Sequence, residues 1–428
     1  MITTDYDVAV IGAGPAGLAA ALAADERGAK TLLIERESKL GGMLKQCIHD
    51  GFGFERFGEK LSGPEYVHRF TSQIPDSGIK IAALTFVTRI EKKITGFHLT
   101  LVNREGVNKT TCRSLVLACG SRERTFRQVG IHGRYSAGIF TAGTAQYYIN
   151  ILGKMPAKRC VILGSDDAGL IIARRLKIEG AEVIGVFEER PAAAGQIRNV
   201  CQCLEDYDIP LYTNKTITRV FGEGHLNSVE ISSVNENMLP VSGTEKIIDC
   251  DTIIVSAGLV PENELAEKLG ITLDSSTKGP ITDQNCMTMT DGIFCCGNAL
   301  HVNTFVDYVS ESGEIAGQAA ANWSAEQPIY IPQNSERSLA MITSNNNLSY
   351  IVPQMLNVNE LNNPVIFNFR SKNEMGKSLL LVELDGIEIF RKFYQQLRPQ
   401  EMERLELDLK NKFINKGSVI NFLLKEIK

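Results

Sequence analysis

The chain has 428 residues, 43% of them hydrophobic and 22% charged, with a formal net charge of −5. That length is enough for two to three domains, each with its own core, and the mild acidity argues against a nucleic-acid partner, which needs a basic stripe. Ten cysteines are spread along the chain without CxxC or CxxH spacing. This argues against a zinc site or a thioredoxin-type pair and reads as buried thiols in a reducing compartment.

In chain order, Tyr6 to Ile11 reads as a continuous apolar strand, Ala16 to Arg27 as an Ala-rich helix and Thr31 to Ile34 as a second strand. This β-α-β order implies a parallel, doubly wound sheet. Val8 to Ala24 is uncharged and mostly apolar, but Asp5 and Asp7 precede it where a signal peptide carries Lys or Arg, and a Gly-Ala-Gly-Pro turn interrupts it. The expectation is therefore a cytoplasmic protein with no export signal and no membrane span.

A later strand, Ser114 to Ala118, ends in Cys119-Gly120, and the same order restarts at Arg159. Cys160 to Leu163 is a strand, Gly169 to Glu179 a helix and Val183 to Phe187 the next strand. Gly292 to Cys296 is a buried-strand pattern, followed by Gly297-Asn298 and a helix running through Glu314 to Trp323. Beyond Gln327, Leu379 to Leu384 and Ile387 to Phe393 flank the two-residue turn Asp385-Gly386, and Leu405 to Leu409 alternates as another strand. Neither His nor Cys follows His301, which leaves this last region poor in catalytic side chains. The fold class is α/β: two Rossmann-like dinucleotide-binding domains, the second (126–265) inserted in the first (1–125 and 266–327), plus a small C-terminal β-rich domain (328–428).

Gly12-Ala-Gly14-Pro15-Ala16-Gly17 follows the first strand and opens the first helix, and Glu35 ends the next strand roughly twenty residues on, the interval of the dinucleotide fingerprint. Gly12 makes the tight turn, Gly14 lets backbone approach a pyrophosphate, Gly17 allows close helix packing, and Glu35 can accept from ribose hydroxyls. The helix opening at Pro15 and Ala16 supplies aligned N–H groups and the positive dipole end.

These residues resemble the two-dinucleotide flavoproteins of the glutathione-reductase-like (pyridine nucleotide-disulfide oxidoreductase) superfamily over about residues 5 to 325. Ala118-Cys119-Gly120 and Ala257-Gly258-Leu259-Val260-Pro261 are similar to its two crossing-point motifs. Gly41 to Phe57 (GGMLKQCIHDGFGFERF), Gly120 to Thr125, Ala137 to Asn150 and Cys296 to Glu311 resemble a narrower group of FAD-dependent oxidoreductases found beside a glycerol-3-phosphate dehydrogenase or oxidase. That group is related to subunits of opine, hydroxyproline and cyanide-forming amine dehydrogenases. The resemblance implies FAD held at Gly12 to Gly17, Glu35, Gly42, Gly120, Gly297 and Asn298, and a dehydrogenase or oxidase partner subunit. Where most relatives carry Asp, Asn298 keeps the hydrogen bonds without the charge. Some relatives end in a cysteine-rich iron-sulfur segment; no cysteine lies there in this chain, so FAD without a cluster is expected.

The resemblance also implies an NADH site at Gly164-Ser-Asp166-Asp-Ala-Gly169, with Glu188 one position farther from its first glycine than Glu35 is from Gly12. Asp166 stands where the pattern has Gly. Facing a pyrophosphate at about 4 Å, its carboxylate would meet a repulsion on the order of 4 kcal/mol, so NADH binds weakly or displaced, or the site is abandoned. Glu188 favours NADH over NADPH by accepting from a 2′-hydroxyl; alternatively Glu188 and Glu189 are solvated residues at a strand end.

Cys47 and His49 are the candidates for chemistry. A thiol near a flavin can form a sulfenic acid, which gives a rival reading as a stand-alone NADH oxidase or peroxidase; a structural thiol and a hydrogen-bonding imidazole are the plainer roles. A third reading is a flavin-bound scaffold without turnover. Cys201 and Cys203 share a helix but face apart. The helix beginning near Asp307 to Ser310 is expected to turn its N-terminal dipole toward the flavin's pyrimidine end.

Overall fold

The computed structural model describes residues 5–134, 136–326, 337–361 and 363–427. It falls into two compact units, Arg122–Val260 and the remainder, Met1–Ser121 with Pro261–Lys428. The inserted unit thus begins and ends a few residues before the expected 126 and 265, and the expected junction at 327/328 lies outside the described residues.

The first unit opens with β1 (Tyr6–Ile11), α1 (Pro15–Glu26), β2 (Thr31–Ile34), α2 (Gly63–Thr71) and β3 (Lys80–Ala82). It continues with β4 (Phe86–Lys93), β5 (Gly96–Asn103) and β6 (Gly106–Leu117). The sheet order is β3-β2-β1-β6-β5-β4. Strands β1, β2 and β3 run parallel, and β1 pairs parallel with the second half of β6. The first half of β6 pairs antiparallel with β5. The expected strand Ser114 to Ala118 is therefore only the buried end of a 12-residue strand. Its exposed, polar beginning shows no apolar run for a sequence reading to detect. Helix α2 starts at a capping box, Ser62 and Glu65 holding each other's backbone N–H.

The second unit repeats the plan. Its parallel sheet is ordered β7-β11-β8-β9-β10, from β7 (Ile139–Thr141), β8 (Arg159–Leu163), α3 (Asp167–Ile178), β9 (Glu182–Glu188), α4 (Ile197–Cys203), β10 (Leu211–Thr213) and β11 (Thr252–Val255). A three-stranded antiparallel sheet formed by Lys215–Phe221, Ser228–Ser233 and Lys246–Asp249 adds to it.

The chain then completes the first unit. Strand β12 (Ile293–Cys295) pairs parallel with the end of β6, and α5 (Val306–Glu326) lies along α1. Helix α1 is buried from Ala16 to Ala24 because the sheet and α5 cover it from two sides. The two helices approach so closely that a Cβ on Gly313 or Gly317 would come within 2.2 or 2.1 Å of the carbonyl oxygens of Ala16 and Ala20. Helix α5 starts at Val306, beside the expected start near Asp307 to Ser310, and runs through the expected Glu314 to Trp323.

The C-terminal part has its own core around Phe367, Phe369, Leu380 and Phe422. Its strands are β13 (Leu339–Ser344), β14 (Leu348–Val352), β15 (Met355–Asn357), β16 (Val365–Ser371), β17 (Ser378–Leu384), β18 (Ile387–Tyr394), β19 (Glu403–Leu407) and β20 (Val419–Glu426). They form a five-stranded sheet, β15-β13-β20-β17-β18, and a three-stranded one, β14-β16-β19. Along β16, Val365, Phe367 and Phe369 enter the core while Ile366, Asn368 and Arg370 take the other face. Arg337 ties this part to the rest of its unit: it reaches Asp283 (3.3 Å), Asp291 (3.0 Å) and the Thr288 carbonyl (2.7 Å).

Candidate functional site

The two glycine turns have the same backbone and different contents. At the first, Gly12 adopts φ 101°, and a Cβ there would meet the Ala118 carbonyl oxygen at 2.4 Å. A Cβ on Gly17 would sit 1.7 Å from the Gly12 oxygen. Gly14 is extended (φ −74°, ψ −175°), a backbone that any residue adopts, and a Cβ there would meet only the Gly42 Cα at 3.9 Å. Gly42, at φ 56°, crosses it closely: a Cβ on Gly42 would come within 3.0 Å of the Gly14 Cα. Pro15 takes the first helical turn, where its missing N–H costs nothing. Among the described residues no side chain caps this helix, which leaves the N–H groups of its first turn without a side-chain acceptor there.

Glu35 is buried and bridges the turn. One oxygen accepts from Ala13 N (2.8 Å) and the other from Glu37 N (2.9 Å). Each retains a lone pair that a ribose hydroxyl can use. The carboxyl ends of β1, β6 and β12 meet here, at the edge where open α/β sheets bind ligands. Gly120 follows β6 at φ 75°. Gly297 follows β12 at φ 62°, and a Cβ on it would approach the Ala16 Cβ to 2.7 Å. Asn298 accepts from Asn303 N through Oδ1 (3.0 Å).

In the second turn Gly164 (φ 93°) and Gly169 stand as Gly12 and Gly17 do, a Cβ on Gly164 falling 1.8 Å from the Ser256 oxygen and one on Gly169 2.7 Å from the Gly164 oxygen. Glu188 accepts from Ser165 N (3.0 Å), the Ser165 hydroxyl and Arg190 N (3.0 Å). It is buried, which corrects the reading of Glu188 as a solvated strand-end residue; Glu189 accepts from the Thr216 hydroxyl (2.7 Å). Asp166 does not simply project toward a ligand. Its carboxylate folds back to cap α3, accepting from Gly169 N (3.0 Å), the Ser256 hydroxyl and Gly258 N (3.3 Å). Burial pushes it up to about 6, opposed by those three hydrogen bonds. The helix end that is uncapped in the first turn is occupied by the protein's own anion in the second.

Cys47 closes a short helical turn, Gly42–Gln46, and its Sγ donates to the Met43 carbonyl (3.4 Å). Burial pushes its thiol up to about 12, opposite to what an activated thiolate needs. His49 is partly buried, its Nδ1 3.1 Å from the Asp50 carbonyl oxygen and its ring 5.0 Å from Phe52.

Several residues of this site carry no local sequence signal. Asp307, buried in the first turn of α5, accepts from Gly53 N (3.3 Å) and Arg56 N (3.1 Å), so the N-terminus of α5 organises the segment after Cys47. Tyr66 donates to Ser310 (2.9 Å) beside it. Ser256 partners Asp166 from across the sheet. Only the helix start near Asp307 is anticipated by the sequence.

Paired βαβ units with glycine turns and buried strand-end glutamates define a protein built around two dinucleotide-type sites. The chain belongs to the pyridine nucleotide-disulphide oxidoreductase family, whose pattern matches residues 6–321, and it is an oxidoreductase. It is 28% identical over 330 residues to thioredoxin reductase of Treponema pallidum, covering 75% of this chain and 97% of that protein. It is 23% identical to one of the subunits of opine oxidase from Agrobacterium tumefaciens, over 74% of this chain and 64% of that one. Among solved structures, thioredoxin reductase of T. acidophilum superposes with a TM-score of 0.63 at 21% identity, over 76% of this chain and all of that one, which bears on the fold alone. No helix among the described residues is long and apolar enough to cross a membrane.

Proposed function

We propose that the chain binds FAD at the first glycine turn and passes two electrons through it, linked to NADH and coupled to a partner dehydrogenase or oxidase whose substrate is an amine or glycerol 3-phosphate. The observation that carries the reading is the uncapped N-terminus of α1 beneath the Gly14–Gly42 crossing, which leaves N–H donors and backbone-close space for a pyrophosphate. Glu35 holds the ribose, and Gly120, Gly297 and Asn298 line the path of the rest of the cofactor. Bound flavin supplies the electron chemistry, and the protein supplies orientation and electrostatics. The start of α5, fixed by Asp307, directs a positive helix end at the site.

The partner rests on the resemblance of Cys296 to Glu311 to the narrower group and on the similarity to a protein named as one subunit of an oxidase. A peroxidase built on Cys47 is disfavoured by the elevated thiol. The reading is tested by adding FAD to purified chain, removing the excess, and titrating anaerobically with NADH. One flavin per chain that bleaches is expected. A chain that stays colourless overturns the proposal, and a yellow chain that neither NADH nor a partner enzyme bleaches leaves only the scaffold.

A further inference from the structure

The C-terminal sheets extend past the family match, which ends at residue 321, yet one face of them reaches back to the carboxyl edge of the first sheet. Residues 297–305 link β12 to α5 along that edge. The start of this loop packs on Ala16 of the glycine turn, and Asn298 is held by the backbone N–H of Asn303, so its placement depends on the loop's far half. That half is gripped from β16. Arg370 donates through Nη2 to the Val302 carbonyl (3.3 Å) and the Thr304 hydroxyl (3.1 Å), through Nη1 to the Pro399 carbonyl (3.4 Å) and through Nε to the Tyr350 hydroxyl (3.1 Å).

Tyr350 pairs with Arg370 across β14 and β16, and Arg404 pairs with Asn368 across β16 and β19, so all of these share one face. From it Arg404 grips Glu311 of α5 at 2.8 and 3.2 Å, and Met402 N donates to Thr304 (3.3 Å). Beneath lies His301, 3% exposed, its ring 5.7 Å from Tyr350 and its Nδ1 without a hydrogen-bond partner among the described residues. Burial, helped by Arg370, pushes that imidazole down to about 3, so it stays neutral.

We infer that Arg370 is a positioning residue for the FAD site: by fixing Val302 and Thr304 it sets the loop that carries Asn298, making the C-terminal sheets a working part of the cofactor site. The inference rests on the FAD reading above. A planar guanidinium fork serves four acceptors at once, and a lysine ammonium does not reproduce that geometry.

The test uses the full chain stripped of flavin and titrated with FAD, followed by flavin fluorescence and the visible spectrum, with thermal unfolding in parallel. Arg370→Met is expected to raise the FAD dissociation constant at least tenfold and to alter the bound-flavin spectrum, with Arg370→Lys recovering less than half of the loss. Thr304→Val, which removes one acceptor and leaves Arg370 its others, is expected to weaken FAD about threefold and decides the matter if Arg370→Met does not fold. Unchanged affinity and spectrum in the folded variants, with only a lower melting temperature, overturn the positioning role, as does complete rescue by Arg370→Lys. Failure of the wild type to take up FAD strikes the flavin reading itself.

Discussion

The hydroxyl of Ser256, at the end of β11, donates to the carboxylate of Asp166 across the second glycine turn. In the first unit the equivalent places are filled by Ala118 and Gly14, neither of which has a polar side chain. The departure from the glycine pattern is therefore paired: an acid that caps α3 and a hydroxyl that holds it there. The same N–H of Gly169 that caps to Asp166 is among the donors a pyrophosphate would compete for.

Asp166→Gly is accordingly expected to tighten NADH binding. Recovering about 1.4 kcal/mol of the repulsion is tenfold in the dissociation constant. Glycine is itself an acceptable cap, costing only a few tenths of a kcal/mol, so the fold should hold. Flavin content should not change, because the first turn is built from other residues. The NADH concentration giving half-maximal flavin reduction checks this; equal values for the two proteins would mean the carboxylate swings clear when the dinucleotide arrives.

Asp166 also makes NADH binding depend on pH. Its folded carboxyl titrates near 6, above the usual 3.8, so below about pH 6 it is neutral and its repulsion of the pyrophosphate disappears. NADH should bind more tightly at pH 5.5 than at pH 7.5 in the wild type, and this difference should shrink in Asp166→Gly. For stability the sign is fixed by the raised value. Between about 4 and 6 the folded state binds more protons than the unfolded one, so this group's contribution falls as pH rises through that window. Parallel pH profiles of the two proteins would remove Asp166 as the titrating group.

What the sequence made legible is local. Gly12, Gly14, Gly17 and Glu35 lie within one strand-turn-helix-strand, so their spacing is visible along a single segment. Asp166 was legible as a departure from that pattern, but its partner Ser256 was not, because a hydrogen bond spanning 90 positions leaves no period in the sequence. Arg370 and His301 escaped for the same reason. The half-buried ribbon of β4, β5 and the start of β6 escaped because half-solvated strands need no continuous apolar run.

Gly14→Glu tests the first turn. Gly14 has ordinary extended backbone and open space around its Cβ direction, the nearest atom being the Gly42 Cα at 3.9 Å, so the substitution is tolerated by the fold. The new carboxylate would occupy the pyrophosphate's place at the end of α1. A folded but colourless protein that no longer takes up FAD is expected by circular dichroism and absorbance. Retained yellow colour would place the flavin elsewhere.

Cys47→Ser should leave flavin binding intact and NADH-linked activity within about twofold. A thiol raised to about 12 by burial is overwhelmingly protonated at neutral pH and reacts slowly with alkylating agents and peroxide. The direct check is the iodoacetamide labelling rate of Cys47 in the native protein against that in urea. Fast native labelling, or loss of turnover in the serine variant, would restore the peroxidase reading.

The last prediction concerns the tie between the C-terminal sheets and the rest of their unit. Asp283 is fully buried, and burial pushes its carboxyl up to about 7 even though Arg337 lies 3.3 Å away and holds it down. A raised folded value means that the unfolded chain binds fewer protons between about pH 4 and 7, so this group costs stability as pH rises through that window. Arg337 offsets part of the cost, and also pairs with Asp291 at 3.0 Å. Arg337→Met should therefore destabilise the first unit by about 3 kcal/mol at pH 8, where an uncompensated buried charge remains. At pH 5, where the Asp283 carboxyl is protonated, the loss should be smaller. Urea unfolding of both proteins at the two pH values measures the difference. Equal destabilisation at pH 5 and pH 8 would show that Arg337 acts through its packing and its bond to the Thr288 carbonyl, and that the charge on Asp283 has no part in it.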